Sequence, residues 1–232
     1  MSAANELLKN NTLEKRTGFV FFLFCIWSFV LLARPQDIFV TLKIIRPALT
    51  IGILTLGFVL IRTNDLRGSR FLQEIQIKYY TALFVVMILG IPLALHRRET
   101  FMAIFTGYII TVLFVFIFYK LIHSAKMLSV VIFIGCLGNG LYSLFALIES
   151  STGVGRLDYG TMFDPNDLAF FALGFMPFNL VFISRDNPLW VRLACLSFFI
   201  MSILLILNTG SRGGFLALAV VAVLLLLSKA KT

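Results

Sequence analysis

At 232 residues, 59% hydrophobic, 13% charged and with a mean hydropathy of +0.97, the chain is too apolar for a soluble domain, which carries roughly twice that share of charge. Its apolar runs are continuous rather than alternating, which excludes a β-barrel, and no polar segment is long enough to fold alone. A net charge of +9 would point to nucleic acid in a soluble protein. Here the basic residues flank the runs, where they orient a membrane chain and meet anionic lipid, so membrane lipid and no nucleic acid is the expected partner. The expected fold is all-α, a polytopic helical membrane protein with about eight transmembrane helices.

Residues 1–17 form a basic N-terminal segment with Lys9, Lys15 and Arg16; a transmembrane domain spans 18–228, and 229–232 is a short basic end. The first span is expected near Gly18–Ala33, and no small-residue cleavage site comes after it, so it stays as a span. Arg34-Pro35-Gln36-Asp37-Ile38-Phe39 ends it, because proline stops the helix and Asp37 can cap the next one. The second span is expected near Ile44–Ile61, with Pro47 near its start, and Arg62–Lys78 is the most basic loop. The third, near Tyr79–Leu95, is weakened by Gly90 and Pro92, and His96-Arg97-Arg98-Glu99 reads as a loop. The remaining spans fall near Phe101–Tyr119, Leu128–Ile148, Leu168–Ser184, Val191–Leu207 and Phe215–Ser228.

Lysine and arginine counts set the orientation. With the N-terminus in the cytoplasm, inner segments hold 13 of the 20 Lys and Arg and outer segments hold 7. Both ends are therefore expected to be cytoplasmic. The outer seven, Arg34, Lys43, Arg46, Arg97, Arg98, Arg156 and Arg212, stand against that bias and read as selected for something other than topology.

Two polar stretches fall on the expected outer side. In 208–214, Asn208-Thr209-Gly210-Ser211-Arg212-Gly213-Gly214, an arginine is joined by two hydroxyls and by glycines that let backbone come close to a partner. Thr209, Ser211, Arg212 and the backbone amides make a cationic, donor-rich notch suited to phosphate. The same residues also fit a helix-connecting turn whose arginine reaches lipid headgroups. In the loop 149–167, Asp164-Pro165-Asn166-Asp167 is a helix start, with Asp164, Asn166 or Asp167 capping free amides. A helix N-terminus beside Arg156 would also bind an anion. Asn139, between Gly138 and Gly140 and close to Tyr142 and Ser143, reads as a polar helix-packing face, with Gly135 adding room.

No catalytic residue is identified. Cys25, Cys136 and Cys195 lie inside apolar runs, and His96 and His123 fall on opposite expected faces, so no metal site and no cofactor is expected. Glu149 and Asp158 could serve as general bases, but nothing in their neighbourhoods picks them out.

Three stretches, taken in order, resemble a known family. Arg34-Pro35-Gln36-Asp37-Ile38-Phe39 is similar to the start of bacterial O-antigen ligase-type proteins. Gly160-Thr161-Met162-Phe163-Asp164-Pro165-Asn166-Asp167-Leu168-Ala169 resembles their central outer loop entering a span, and Thr209-Gly210-Ser211-Arg212-Gly213-Gly214 resembles the signature that opens their shared core. The resemblance implies a metal-independent glycan ligase or polymerase of the bacterial inner membrane. Its donor would be an undecaprenyl-diphosphate-linked glycan, transferred at the periplasmic face to an acceptor sugar or protein not identified. It implies that outer arginines hold the diphosphate, with Arg212 matched by motif and Arg156 by loop position. Family members carry their histidine base in a large periplasmic loop beyond the arginine motif, which no residue here matches. The chain is thus expected to be an N-terminal portion, with transfer by this chain alone in question. A transporter, or a non-catalytic binding or accessory protein for a lipid-linked glycan or other anion, is the alternative. A transporter should carry its polar residues on towards the cytoplasmic face.

Overall fold

The structure, a computed structural model, describes residues 2–39, 41–61, 75–150, 157, 159–160, 164–184 and 186–229, with side chains described from residue 18 onward. Among these residues there is no β-strand. The helices are α1 (Ser2–Ala33), α2 (Pro35–Ile38), α3 (Leu42–Ile45), α4 (Pro47–Ile61), α5 (Ile75–Gly90), α6 (Arg97–Met102), α7 (Ile109–Leu121), α8 (Ala125–Ser150), α9 (Pro165–Phe182), α10 (Leu189–Thr209) and α11 (Arg212–Lys229). A 3₁₀ turn, Ile91–Leu93, extends α5, and a π-helical stretch, Ala103–Tyr108, joins α6 to α7.

Among the described residues, five stretches are long and apolar enough to cross a membrane: Leu42–Ile61, Ile75–Leu93, Arg97–Leu121, Ala125–Glu149 and Leu189–Thr209. Gly18–Ala33 and Arg212–Leu225 are apolar but shorter. Five such helices stand where eight spans were expected. Helix α9, in the place of the sixth, includes Asn166, Asp167 and Asn179 among its 18 residues, which lowers its hydropathy. His96-Arg97-Arg98-Glu99 is no loop: helix begins at Arg97, with Glu99 in its first turn, where an acid suits the positive end of the dipole. Helix α1 is continuous from Ser2, so the expected N-terminal segment 1–17 runs directly into the first apolar stretch. Loop residues 62–74 and Arg156 lie outside the described residues.

The chain divides into two compact units, Met1–Trp27 with Ala48–Leu128, and Ser28–Pro47 with Ser129–Thr232. In the first, Trp27 is 1% exposed and its Nε1–H donates to the Ala48 carbonyl at 2.7 Å. Gly52, one turn on in α4, leaves room for the indole: a methyl there would sit 2.7 Å from the ring. Phe24 and Phe114 pack against that indole, and Phe118 packs on both of them. Phe84 of α5 stacks on Tyr108, but only 6% of the Ile75–Leu93 stretch is buried.

The second unit is built around α8, half of whose apolar stretch is buried. Three glycines on α8 receive three different neighbours. A methyl on Gly138 would sit 3.0 Å from Leu32 Cβ and 3.1 Å from the Ala33 nitrogen of α1. One on Gly135 would meet the Phe175 ring of α9, and one on Gly140 the Phe198 ring of α10. Small residues let helices approach until dispersion holds them, which is the main attraction available where lipid is as apolar as the side chains. The expected packing role for this face of α8 is what the structure contains. Two apolar layers result: Cys136, Phe182, Val191 and Cys195 at one level, and Tyr142, Ala146, Leu157, Leu168, Ala169, Ala172, Leu205 and Ile206 at the other.

Gly140→Ala is expected to destabilise the protein by about 1–3 kcal/mol, because Phe198 Cβ leaves the new methyl no room to be accommodated by ring rotation alone. Gly174→Ala meets nothing within 4 Å and is expected to be neutral or stabilising by up to about 1 kcal/mol. Unfolding of the two variants in a denaturing-detergent titration checks the contrast.

Candidate functional site

The Thr209–Gly214 turn is assembled by its own side chains. Helix α10 ends at Gly210 in the left-handed conformation (φ 56°), which glycine adopts without a Cβ clash. Thr209 is fully buried; its hydroxyl donates to the Ile206 carbonyl at 2.7 Å and accepts from the Ser211 N–H at 3.3 Å. Ser211, also fully buried, caps α11: its oxygen accepts from the Gly214 N–H at 2.9 Å, and its hydroxyl donates to Asn166 Oδ1. The two hydroxyls expected to bind a phosphate therefore spend their protons inside the protein, and they shape the turn. Arg212 is different. It is exposed in the first turn of α11, and among the described residues nothing pairs with its side chain.

The expected helix start at Asp164-Pro165-Asn166-Asp167 is the N-terminus of α9. Asp164 Oδ1 accepts from the Asn166 N–H at 2.8 Å, and Pro165 occupies the first helical position, where its missing N–H costs nothing. Asn166 then reaches Ser211, while Asp167 turns to a groove that it shares with Arg34. A methyl on Gly214 would lie 2.7 Å from Ala169 Cβ, so only a glycine lets α11 start against the first turns of α9. The two N-termini lie side by side. Each carries a positive partial charge from its helix dipole, so the pair, with Arg212 beside it, favours an anion.

A second cluster gathers around Arg34. The Arg34 guanidinium lies 3.8 Å from the Asp37 carboxylate, and its charge is felt at the Tyr142 hydroxyl of α8. Tyr142 is fully buried and donates that hydroxyl to the Tyr159 carbonyl at 3.0 Å, with the two rings edge to face at 5.2 Å. Asp37 sits within α2 and does not cap the next helix as expected; its carboxylate packs against Gly160, where an added methyl would be 2.7 Å from it. Burial, and then the carboxylates of Glu149 and Asp37, push the Tyr159 phenol up from its ordinary value.

The groove lined by Arg34 has a volume of about 420 Å³, and its other walls are Leu32, Asp167, Phe170, Phe171, Gly174 and Phe175. The two charged residues stand at the end formed by the first turn of α9 and the close of α1. The aromatic wall continues two turns along α9. Such a groove suits an amphiphile with a charged head and an apolar tail.

Sequence reasoning placed Arg34 among the outer cations and in the Arg34–Phe39 stretch, and put Tyr142 to packing. Their meeting depends on α1 and α8 crossing at Gly138, which no local pattern encodes. Asn179 was not singled out at all. It is fully buried in α9 and, among the described residues, neither of its amide atoms is paired. Its signal was available: an amide two residues after Pro177 in an otherwise apolar run. Asn139 donates to the Phe171 carbonyl at 2.9 Å. Among the described residues no group of three or more His, Cys, Asp or Glu could hold a metal ion.

No family model, curated protein or solved structure matches the chain.

The Ser211–Asn166 bond joins α11 to α9, and its partners are expected to be coupled. Ser211→Ala should cost about 0.5–2 kcal/mol for the lost cap alone. In a double-mutant cycle with Asn166→Ala, thermal unfolding in mild detergent should return a coupling energy of about 0.5–3 kcal/mol. A value near zero would mean that the two helix starts are held by packing only.

Proposed function

We propose that this chain is the donor-binding part of an O-antigen ligase- or polymerase-like protein of the bacterial inner membrane. It binds an undecaprenyl-diphosphate-linked glycan at the periplasmic face. Arg212 takes the diphosphate, with Arg156 as its companion from the α8–α9 loop. The observation that carries the reading is the groove at the first turn of α9. It has a charged mouth at Arg34 and Asp167 and a phenylalanine wall. It starts from the same helix turn that is bonded through Asn166 to the arginine motif. The three stretches that resemble the family are far apart in sequence and lie in one compact unit.

In the transfer reaction, an acceptor hydroxyl attacks the anomeric carbon of the lipid-linked sugar. A new carbon–oxygen bond forms as the bond to the diphosphate breaks. Negative charge grows on the departing diphosphate, and a fixed guanidinium and two helix N-termini stabilise it most at that moment. The acceptor's proton goes to a base, a role for which no described residue is assigned.

Transport, or binding without transfer, of the same class of ligand is favoured by one observation. Asn139, Ser143 and Asn179 are buried in the second unit, each with a polar atom that no described residue pairs. Buried polar side chains within membrane-length helices are the kind of group that marks a substrate path.

Binding of a polyprenyl-diphosphate-linked sugar to the purified chain in lipid nanodiscs tests the proposal. Arg212→Ala and Arg156→Ala should each weaken binding about tenfold or more, the scale of a lost charge-assisted hydrogen bond. Gly174→Leu adds its side chain where a Cβ meets nothing within 4 Å, so it should fold normally and lose binding by filling the groove. Unchanged affinity in all three variants refutes the proposal. Movement of the labelled lipid between leaflets of a vesicle, without transfer when acceptor is supplied, would favour the second reading.

A further inference from the structure

A buried tyrosine, an ion pair and a left-handed glycine meet where the α8–α9 loop returns to the core. The Tyr142 hydroxyl, fully buried on α8, donates to the main-chain carbonyl of Tyr159. Gly160 comes next with φ 64°, a conformation that favours glycine, and the Asp37 carboxylate fills the space where a Cβ would be. Arg34 stands beside both parts of this arrangement, 3.8 Å from Asp37 and with its charge felt at the Tyr142 hydroxyl. Leu157, three residues before Gly160, is 7% exposed and joins the Tyr142 core layer. Arg34 itself is left-handed (φ 45°) directly before Pro35. Such a conformation is strained for a non-glycine residue and persists only where surrounding contacts over-determine it.

We infer that Arg34, Asp37 and Tyr142 are positioning residues that anchor the α8–α9 loop at Tyr159–Gly160. The anchor has two points. One is a hydrogen bond to a main-chain carbonyl, which holds the loop whatever side chain residue 159 carries. The other is a carboxylate seated against a residue without a side chain, which holds the main chain at close range. The two points share Arg34, and Arg34 also lines the groove. A phosphate entering the groove would compete with Asp37 for that guanidinium, so the anchor and the groove are linked through one side chain. The inference rests on the lipid-linked glycan reading only in naming the ligand that the anchored loop serves.

The test reads loop opening without any ligand. Leu157→Cys is introduced into the full chain in lipid nanodiscs, and its rate of reaction with a soluble maleimide is measured. Cys25, Cys136 and Cys195 are buried, so the parent chain gives a low background. Tyr142→Phe keeps the ring and removes one hydroxyl; it should raise the labelling rate about fivefold, the worth of one net hydrogen bond. Asp37→Ala should raise it as well, and the double variant should exceed either. Labelling of the double variant within twofold of the Leu157→Cys parent overturns the inference. Binding of decaprenyl diphosphate is measured in parallel. With the anchor correct, Tyr142→Phe binds it more weakly than the wild type, while Phe substitution at Tyr159, whose carbonyl is main chain, leaves affinity and labelling as they were. Failure of the wild type to bind decaprenyl diphosphate would sink the glycan reading and leave the labelling result standing.

Discussion

The second unit depends on how closely three helices approach α8. Helix faces in lipid gain nothing from merely being apolar, because the surroundings are apolar too. What holds them is close packing, and close packing needs surfaces without protruding side chains. Gly135, Gly138 and Gly140 present such surfaces in three directions, one each to α9, α1 and α10. Gly138 matters most for position, since it faces the α1 main chain rather than the tip of a ring. The crossing it permits brings the end of α1, and with it Arg34, within reach of Tyr142.

Once the helices are packed, their ends decide the chemistry. Backbone donors at a helix start need partners, and where the start is buried the partners must come from the chain. Helix α11 takes its partner from Ser211 and helix α9 from Asp164, and the Ser211–Asn166 bond ties the two starts together. The consequence is a pair of positive helix ends at one place, with an exposed arginine beside them. Chemically, Thr209 and Ser211 are spent in building this arrangement, and Arg212 is the group left to act on something else.

Arginine before proline occurs twice, at Arg34-Pro35 and Arg46-Pro47, and both arginines are left-handed. In each case one helix ends at the arginine and the next begins at the proline, whose fixed φ suits a first helical position. Proline dictates that a helix must stop and that another can start. The left-handed arginine supplies the sharp change of direction, a task more often given to glycine or asparagine. At Arg34 the strain has an evident counterpart in the contacts to Asp37 and Tyr142.

Much of the fold was legible in the chain itself. Continuous apolar runs of bilayer length determine helices, because in lipid a backbone must satisfy its own hydrogen bonds. Asp164-Pro165 and Ser211 are local caps; the first was readable as a helix start from residue type, whereas Ser211 read as a phosphate donor. The basic residues around His96 read as a loop because charge hides helical continuity, although Glu99 near the start is itself a helix signal. Among the described residues five stretches are long and apolar enough to cross a membrane, and α9 carries Asn166, Asp167 and Asn179, which lower its hydropathy.

The composition of the site was a different matter. Residue type placed Arg212 at a polar turn, and local pattern placed Asn166 at a helix start. Only the tertiary structure decided that Asn166 bonds Ser211, that Tyr142 holds Tyr159, and that Arg34 stands at the mouth of a groove walled by α9. Caps and spans are determined within a few residues along the chain. A partner 17 or 45 residues away is determined by which helix faces meet, and that is a property of packed shapes rather than of any short stretch.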